Sequence, residues 1–432
     1  MKILLLNQCF RPDVVSTAQY LTDLATALTE RGHSVTVVAG RRGYDNPDLR
    51  FSKRETWNSI RIIRLSTLGL GKKGRLHRAL DFASFFVSCV MRLALLPRFD
   101  VVIALTSPPL ISWLGAMFVR IKGGRLLFWV MDLNPDEAIA AGWLKSNSVA
   151  ARVLEWFLRS SMHHSAKIVV LDRFVKQRVL DKGIWEAKIS IIPPWSHDRS
   201  NDGSHDEAVR YDEQARNSFR NRHGLNGKHV VMYSGNHSPC HPLDSLLKAA
   251  ASLREREDIA FCFVGGGSEQ DKVRAFARVH ELQNILCLPY QPLQDLSASL
   301  SAADLHVVVM GDAFAGILHP CKIYNILAVG CPFLYIGPNQ SHITDLLSHT
   351  GNQSPGYVAG HGDVKAIVGI ILESADKASG KRAQLRTSLA GKFSRETVMP
   401  RLIEVIESVA EVDGVMAIPD RGSSPTVREG VY

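Results

Sequence analysis

Two α/β domains in tandem, each a doubly wound parallel sheet, are the fold this sequence predicts. Three observations carry the prediction. Short apolar runs of strand length alternate with longer stretches of helical periodicity, the pattern of βαβ units. The alternation comes in two sets, divided by a polar stretch, HDRSNDGSHDE, that begins two residues after Trp195. The 432 residues also exceed what one hydrophobic core organises.

In the first set, residues 2–6 form a buried strand and 8–16 a loop interrupted by Pro12. Leu21, Leu24, Ala25 and Leu28 recur at helical spacing, which predicts a helix over 17–31 with one face buried. Gly32 ends it, and His33 leads into Val35, Val37 and Val38, so the opening is a βαβ unit with a right-handed crossover. Further strands are expected at 60–65, 101–104, 126–130, 167–170 and 189–192, with helices over 107–121 and 147–163. They complete a Rossmann-like domain over 1–195. No Gly-x-Gly-x-x-Gly follows the first strand, so a dinucleotide site is not supported.

Residues 196–226 read as a linker with a charged helical stretch. The second Rossmann-like domain, 227–394, has strands expected at 230–233, 259–264, 285–288, 305–309 and 333–336, and helices over 243–253, 270–279 and 293–301. Helical stretches follow at 364–373, 381–393 and 398–412. Residues 413–432 read as a disordered tail.

The chemistry concentrates in 309–338, VMGDAFAGILHPCKIYNILAVGCPFLYIGP. A strand ends there, a loop with Gly311, Gly316, His319 and Pro320 follows, and a helix carries Lys322, Tyr324 and Asn325 to a stop at Gly330 and Pro332. Ligands of open α/β sheets sit at the carboxyl ends of strands, where helix N-termini offer N–H groups to anions. A lysine in that first turn runs against the helix dipole and points to a negative partner nearby, although a lone lysine there is commonly a solvated surface residue. Asp132 and Asn134 stand just past another buried strand; they either face a ligand or cap the helix that follows.

The net charge is +9, yet no basic run is interleaved with aromatics, so phosphates and anionic membranes rank above nucleic acid as partners. Residues 72–98 join KKGRLHR to an apolar run broken by Asp81 and Arg92. They read either as an amphipathic helix in a membrane interface or as a core helix with a basic, solvated start. The seven cysteines form no Cys-x-x-Cys pair and are odd in number, which suits a reduced, cytoplasmic environment.

Pro320, Cys321 and Lys322, followed by Ala328, Gly330 and Pro332, resemble the nucleotide-sugar motif of glycosyltransferase family 4, whose members have the GT-B fold of two Rossmann-like domains facing across a cleft. Gly32–His33, and Asp132 with Pro135 and Asp136, are similar to other segments of that family. The resemblance spans nearly the whole chain. It implies a retaining, metal-independent hexosyl transfer from a nucleotide-diphosphate sugar to a saccharide or lipid-linked acceptor in polysaccharide synthesis, with no cofactor. The acceptor would lie on the first domain, beside Ser16, Thr17, Asp132 and Asn134, and the donor on the second. Lys322 would contact the donor diphosphate, Gly235 and Asn236 the phosphate turn, Gly265 and Gly266 the nucleotide side, and Tyr290 the base. The helix over 395–412 would return to the first domain.

The sequence departs from the family in several places. Ser16 and Thr17 replace paired glycines; Asn236, His237 and His241 stand where an Arg or Lys is usual; and Ile317 and Asn325 occupy the places of two glutamates. Asn325 keeps a hydrogen-bonding group, and the loop around Gly316 and His319 is left to recognise the sugar, with a 6-deoxy sugar as one way to do without the lost carboxylate. No Asp-x-Asp cluster calls for a metal. A nucleotide-sugar epimerase of the same fold and a non-catalytic nucleotide-sugar-binding protein are the alternatives.

Overall fold

The computed structural model describes residues 1–43, 48–68, 75–197, 209–348, 356–378 and 388–411. Its first sheet is built from β1 (Lys2–Leu6), β2 (Ser34–Gly40), β3 (Arg54–Trp57), β4 (Ile60–Leu65), β5 (Val101–Ala104), β6 (Arg125–Trp129), β7 (Lys167–Val170) and β8 (Ile189–Ile191). The strand order is β3-β4-β2-β1-β5-β6-β7-β8, and only β3 runs antiparallel to its neighbour. The second sheet contains β9 (His229–Asn236), β10 (Ile259–Gly266), β11 (Ile285–Leu288), β12 (Leu305–Val309), β13 (Phe333–Ile336) and β14 (Gly356–Ala359), in the order β11-β10-β9-β12-β13-β14, all parallel.

Strands such as β5, β12 and β13 are apolar at nearly every position because helices cover both faces of the sheet. Each sheet reverses its winding once, between β1 and β5 and between β9 and β12. Those are the points where open α/β sheets leave a crevice at their carboxyl ends.

One face of the first sheet carries the Ser16–Glu30 helix and the chain's last described helix, Arg395–Glu411. Val398, Leu402, Ile406 and Val409 of that last helix are buried in the same cluster as Leu21, Ile103 and Trp129. The other face carries the helices Arg75–Ala94, Ile111–Lys122 and Val149–His164. The Arg75–Ala94 helix buries one face and exposes the other. Phe85, Cys89 and Leu93 are buried in the core, while Val87, Val90 and Met91 face outward, as does Leu95 just beyond it. No described helix is long and apolar enough to cross a membrane.

The structure adds elements that the periodicity did not reveal. β3 and β4 form a hairpin turned by Asn58 and Ser59, both at left-handed φ (45° and 62°). The Arg173–Asp181 helix is short and polar, and is capped by Asp172. The Glu213–Arg222 helix, assigned to the linker on its charge, packs with the second domain instead: Phe219 is buried in that domain's core and Arg220 ion-pairs with Asp304. One buried aromatic and one buried ion pair fix a helix whose other residues are mostly polar. The tail expected from 413 lies outside the described residues.

Leu402 is fully buried at the seam of the returning helix. Leu402→Ala should cost about 3 kcal/mol in urea unfolding. A loss under about 1 kcal/mol would mean that the helix does not help to hold the domain together.

Candidate active site

The carboxyl ends of β9 and β10 make the floor of the site. At the end of β9, Gly235 adopts φ +135°, and at the end of β10, Gly265 adopts φ +136°. A Cβ on Gly265 would lie 2.0 Å from the Gly235 carbonyl oxygen, and one on Gly235 would lie 3.1 Å from Lys322 Nζ. Only glycine lets these two strand ends and the lysine come together.

Lys322 opens the Lys322–Ala328 helix. The residue as a whole is half-buried, but its ammonium is sealed off and has no hydrogen-bond partner among the described residues. Its nearest polarisable neighbour is the face of Tyr233, 3.7 Å from the ring centroid. A cation–π contact is worth about 2 kcal/mol when desolvated, less than the several kcal/mol that burying an ammonium costs. Burial accordingly pushes the Lys322 amine down to about 7.

Beside it, His237 is held down to about 4 and His241 to about 3, in each case by burial first and then by the Lys322 charge. Both ring nitrogens of His237 and Nδ1 of His241 are buried and unpartnered among the described residues. One cation, three orphaned imidazole nitrogens and the turn at Gly235 therefore surround a spot that lacks a counter-charge. Asn236 is exposed at its rim, Gly266 accepts a 2.8 Å bond from the His237 amide, and Tyr290, 42% exposed, reaches the Gly266 carbonyl at 3.3 Å.

Across the cleft, Asp132 follows β6 in a half-buried loop. Burial, then the charge of Glu137, push its carboxyl up to about 7. Asn134 donates to Glu137 at 3.3 Å, so it serves that carboxylate and caps no helix. The two carboxylates reach the other domain: Glu137 Oε1 is 4.0 Å from the Cys240 sulfur, and the Cys321 thiol is pushed up to about 12 by burial and then by Asp132. Cys321 directly precedes Lys322. Ser16 is exposed and Thr17 half-buried at the start of the Ser16–Glu30 helix.

The loop after β12 does not stand open to a sugar. Gly316 (φ +71°) is pressed so closely on the Phe174 backbone that a Cβ would lie 2.9 Å from its carbonyl oxygen. The Ile317 side chain is buried among Leu133, Val175 and Val179 of the first domain. Its carbonyl accepts from Leu133 N at 3.2 Å, and that of Ala315 accepts from Arg178 at 3.3 Å. His319 is buried, bonded through Nδ1 to Asp172 and through Nε2 to Tyr324, each at 2.7 Å. Asn325 accepts the backbone N–H of His197 at 2.8 Å. Gly316, His319 and Asn325, expected beside the donor, are thus drawn into the junction of the two domains.

Asp172 anchors that junction. Its Oδ1 accepts from the Phe174 and Val175 amides at 2.8 Å, and its Oδ2 faces His319 and, at 3.9 Å, His342. Burial alone would raise the Asp172 carboxyl; the hydrogen bond from His319 and the charges nearby overcome it and hold the group at about 2. Asp172, His319 and His342 have the ligand types and spacing of a metal site, with ligand atoms within 4.8 Å of one another. Yet the two imidazoles stack at 3.7 Å and 22°, so their in-plane lone pairs run side by side and do not converge on one ion. The cluster is built as a pin between domains.

The sequence reading passed over Glu137, Asp172 and Tyr233. Asp172 carried the same signal as Asp132, an acidic residue just beyond a buried strand.

Two α/β sheets meeting at their carboxyl ends, with a buried cation on one side and paired carboxylates on the other, define a two-domain transferase of GT-B architecture. Residues 17–195 match the family model described as a glycosyl transferase 4-like domain, and residues 215–384 match that of glycosyl transferases group 1. The chain belongs to the GT-B glycosyltransferases of family 4 type. It is 27% identical over 346 residues to a protein of Escherichia coli K12 described as the putative colanic acid biosynthesis glycosyl transferase WcaI, covering 76% of this chain and 82% of the other. Its fold is also that of sucrose-phosphate synthase from Thermosynechococcus elongatus (TM-score 0.73, 14% identity, 95% and 99% of the two chains) and of Anabaena Alr3699/HepE in complex with UDP and glucose (0.69, 14%, 94% and 100%).

If Asp132 acts in its ionised form, activity should fall as pH drops through about 7. Glu137→Gln removes the charge that helps to raise Asp132, so the acid limb of the pH–rate profile should move to lower pH by roughly one unit. An unmoved limb would detach the profile from this carboxylate pair.

Proposed function

We propose that this enzyme is a retaining hexosyltransferase that moves a sugar from a nucleotide-diphosphate donor, held by the second domain, to a saccharide or lipid-linked acceptor on the first. The buried, unpartnered Lys322 ammonium carries this reading. A buried, unpaired ammonium costs stability, a cost that a ligand supplying the missing charge offsets, and a donor diphosphate at the turn of Gly235 would supply it. The acceptor hydroxyl attacks the anomeric carbon from the face that the diphosphate leaves. The sugar–phosphate C–O bond breaks, the hydroxyl proton passes to Asp132, and Lys322 takes up the charge growing on the leaving oxygen. UDP in the structurally similar HepE, and the polysaccharide role in the description of WcaI, support a nucleotide sugar and a place in polysaccharide synthesis.

The enzyme works at the inner face of a membrane, docked through the outer side of the Arg75–Ala94 helix onto anionic lipid. The support is the exposed stripe Val87, Met91 and Leu95 on a chain of net charge +9. Met91→Asp with Leu95→Asp should abolish binding to phosphatidylglycerol vesicles and leave donor affinity unchanged. Undiminished vesicle binding would rule this face out.

Lys322→Met tests the donor site in two directions. The folded-state pKa, about 7, lies below the unfolded value, so the native protein disfavours a proton that the unfolded chain holds at neutral pH. Removing the amine should therefore stabilise the ligand-free protein, on the order of 3 kcal/mol at pH 7. The same change should weaken nucleotide-sugar binding more than about tenfold. In the native enzyme, donor affinity should be level below pH 7 and decline above it as the amine loses its proton, while His237 and His241 stay neutral throughout. A Lys322→Met protein with native donor affinity would end the assignment.

A further inference from the structure

The segment that carries Asp132 and Glu137 has little of its own to hold it in place. Its one helix, Asp136–Ala140, is five residues long, has no side-chain cap and buries none of its residues. A single turn of that kind is not stable by itself. Ties from outside therefore set where the two carboxylates lie. One comes from the second domain, through the bond from Leu133 N to the Ile317 carbonyl at 3.2 Å. Another is Lys182. Its Nζ donates to both oxygens of Asp136, at 3.1 and 2.9 Å, and to both of Glu155, at 3.1 and 3.0 Å. The Lys182 side chain is 10% exposed and that of Asp136 15%. Ion pairs so far out of water are strict in geometry, and losing one partner strands the other charge.

Lys182 stands at the C-terminal end of the Arg173–Asp181 helix. The opposite end of that helix is the domain junction: Asp172 caps it and binds His319, and Arg173 ion-pairs with Asp345. Its nine residues span roughly 14 Å. A rigid element therefore runs from the second domain to the segment bearing Asp132, gripping the one through Asp172 and Arg173 and the other through Lys182. Glu155 belongs to the Val149–His164 helix and ties the same ammonium to the body of the first domain. Asp136 directly precedes Glu137, the acid whose charge helps to raise Asp132. From the second domain, the Cys240 and Cys321 thiols feel the Asp132 charge.

We propose that Lys182 is a positioning residue: through Asp136 it fixes the Asp132–Glu137 pair at the far end of a helical strut anchored in the second domain. Its importance for turnover rests on the reading of Asp132 given above. The strut adds how that carboxylate is placed against the donor side when the two domains meet.

Two measurements on the full-length protein test it without turnover: amide hydrogen exchange over residues 131–143, and titration of the Asp132 carboxyl by carbon NMR, assigned with Asp132→Asn. Lys182→Met should speed exchange of that segment by roughly tenfold or more and leave the rest of the first domain within about twofold. Water then reaches Asp132, so its titration midpoint should fall by about one unit or more from its place near 7. Charge alone acts the opposite way, because Asp136 and Glu155 lose their cation and a nearby negative charge raises a carboxyl. Lys182→Arg should restore the slow exchange and the raised midpoint, since a guanidinium also bonds carboxylates. Glu155→Gln, which spares the bond between Lys182 and Asp136, should change exchange of the segment by less than about twofold. A midpoint that stays or rises in a folded Lys182→Met protein overturns the proposal. So does faster exchange spread evenly over the first domain, which would make Lys182 a contributor to stability alone. UDP binding and the pH–rate profile report separately on Lys322 and Asp132, so failure of the transferase reading is not mistaken for failure of the strut.

Discussion

The site depends on one uncompensated charge. Lys322 holds its ammonium against the face of Tyr233, out of water and without an anionic partner among the described residues. Such an arrangement costs folding stability, and the surrounding structure enforces it. The turn at Gly235 has no side chain to push the lysine away, and the Lys322–Ala328 helix buries Ile323, Tyr324, Ile326 and Leu327 in one cluster with Val308 of β12 and Phe333 and Tyr335 of β13. The two neighbouring histidines are kept neutral by the same burial and so leave the lysine as the single titrating cation of the pocket. A preorganised positive charge in a dry site is what a departing diphosphate needs, because the protein does not have to reorganise when that charge appears.

A second constraint sets where the first domain lies relative to that lysine. The segment that leads into the Lys322 helix is held from the other side of the cleft through Gly316 on Phe174, Ile317 among Leu133, Val175 and Val179, and His319 on Asp172. Arg173 adds an ion pair to Asp345. Asp132 and Glu137 sit on the same first-domain surface, so these carboxylates and the Lys322 cation are positioned by one set of contacts. Within this segment Ile317 is an apolar anchor and Asn325 a backbone clamp.

Much of the architecture was legible because it rests on local patterns. β7, β11, β12 and β13 coincide with the apolar runs; β12 and β13 are buried at every position and so are apolar almost throughout, and Pro332 and Gly337 mark the limits of β13. The elements that escaped notice or were misplaced are short or polar. β3 is half-exposed, four of the nine residues of the Arg173–Asp181 helix are charged, and the Glu213–Arg222 helix, read as linker, is tied to the second domain by Phe219 and Arg220. Periodicity carries little signal in such segments, and tertiary packing decides them.

By itself, the sequence determined the two doubly wound domains, the helix that presents Lys322 and the loop that presents Asp132, because each follows from hydrophobic period and from residues at strand ends. It did not determine which of those groups share a site. His319 and Asn325 lie three residues either side of Lys322, yet the fold sends them to the domain junction, and it brings Tyr233, His237 and Glu137 toward the chemistry from distant parts of the chain. The reason is geometric: period and propensity act over a few residues, whereas burial, charge and the closing of a cleft depend on which strands become neighbours.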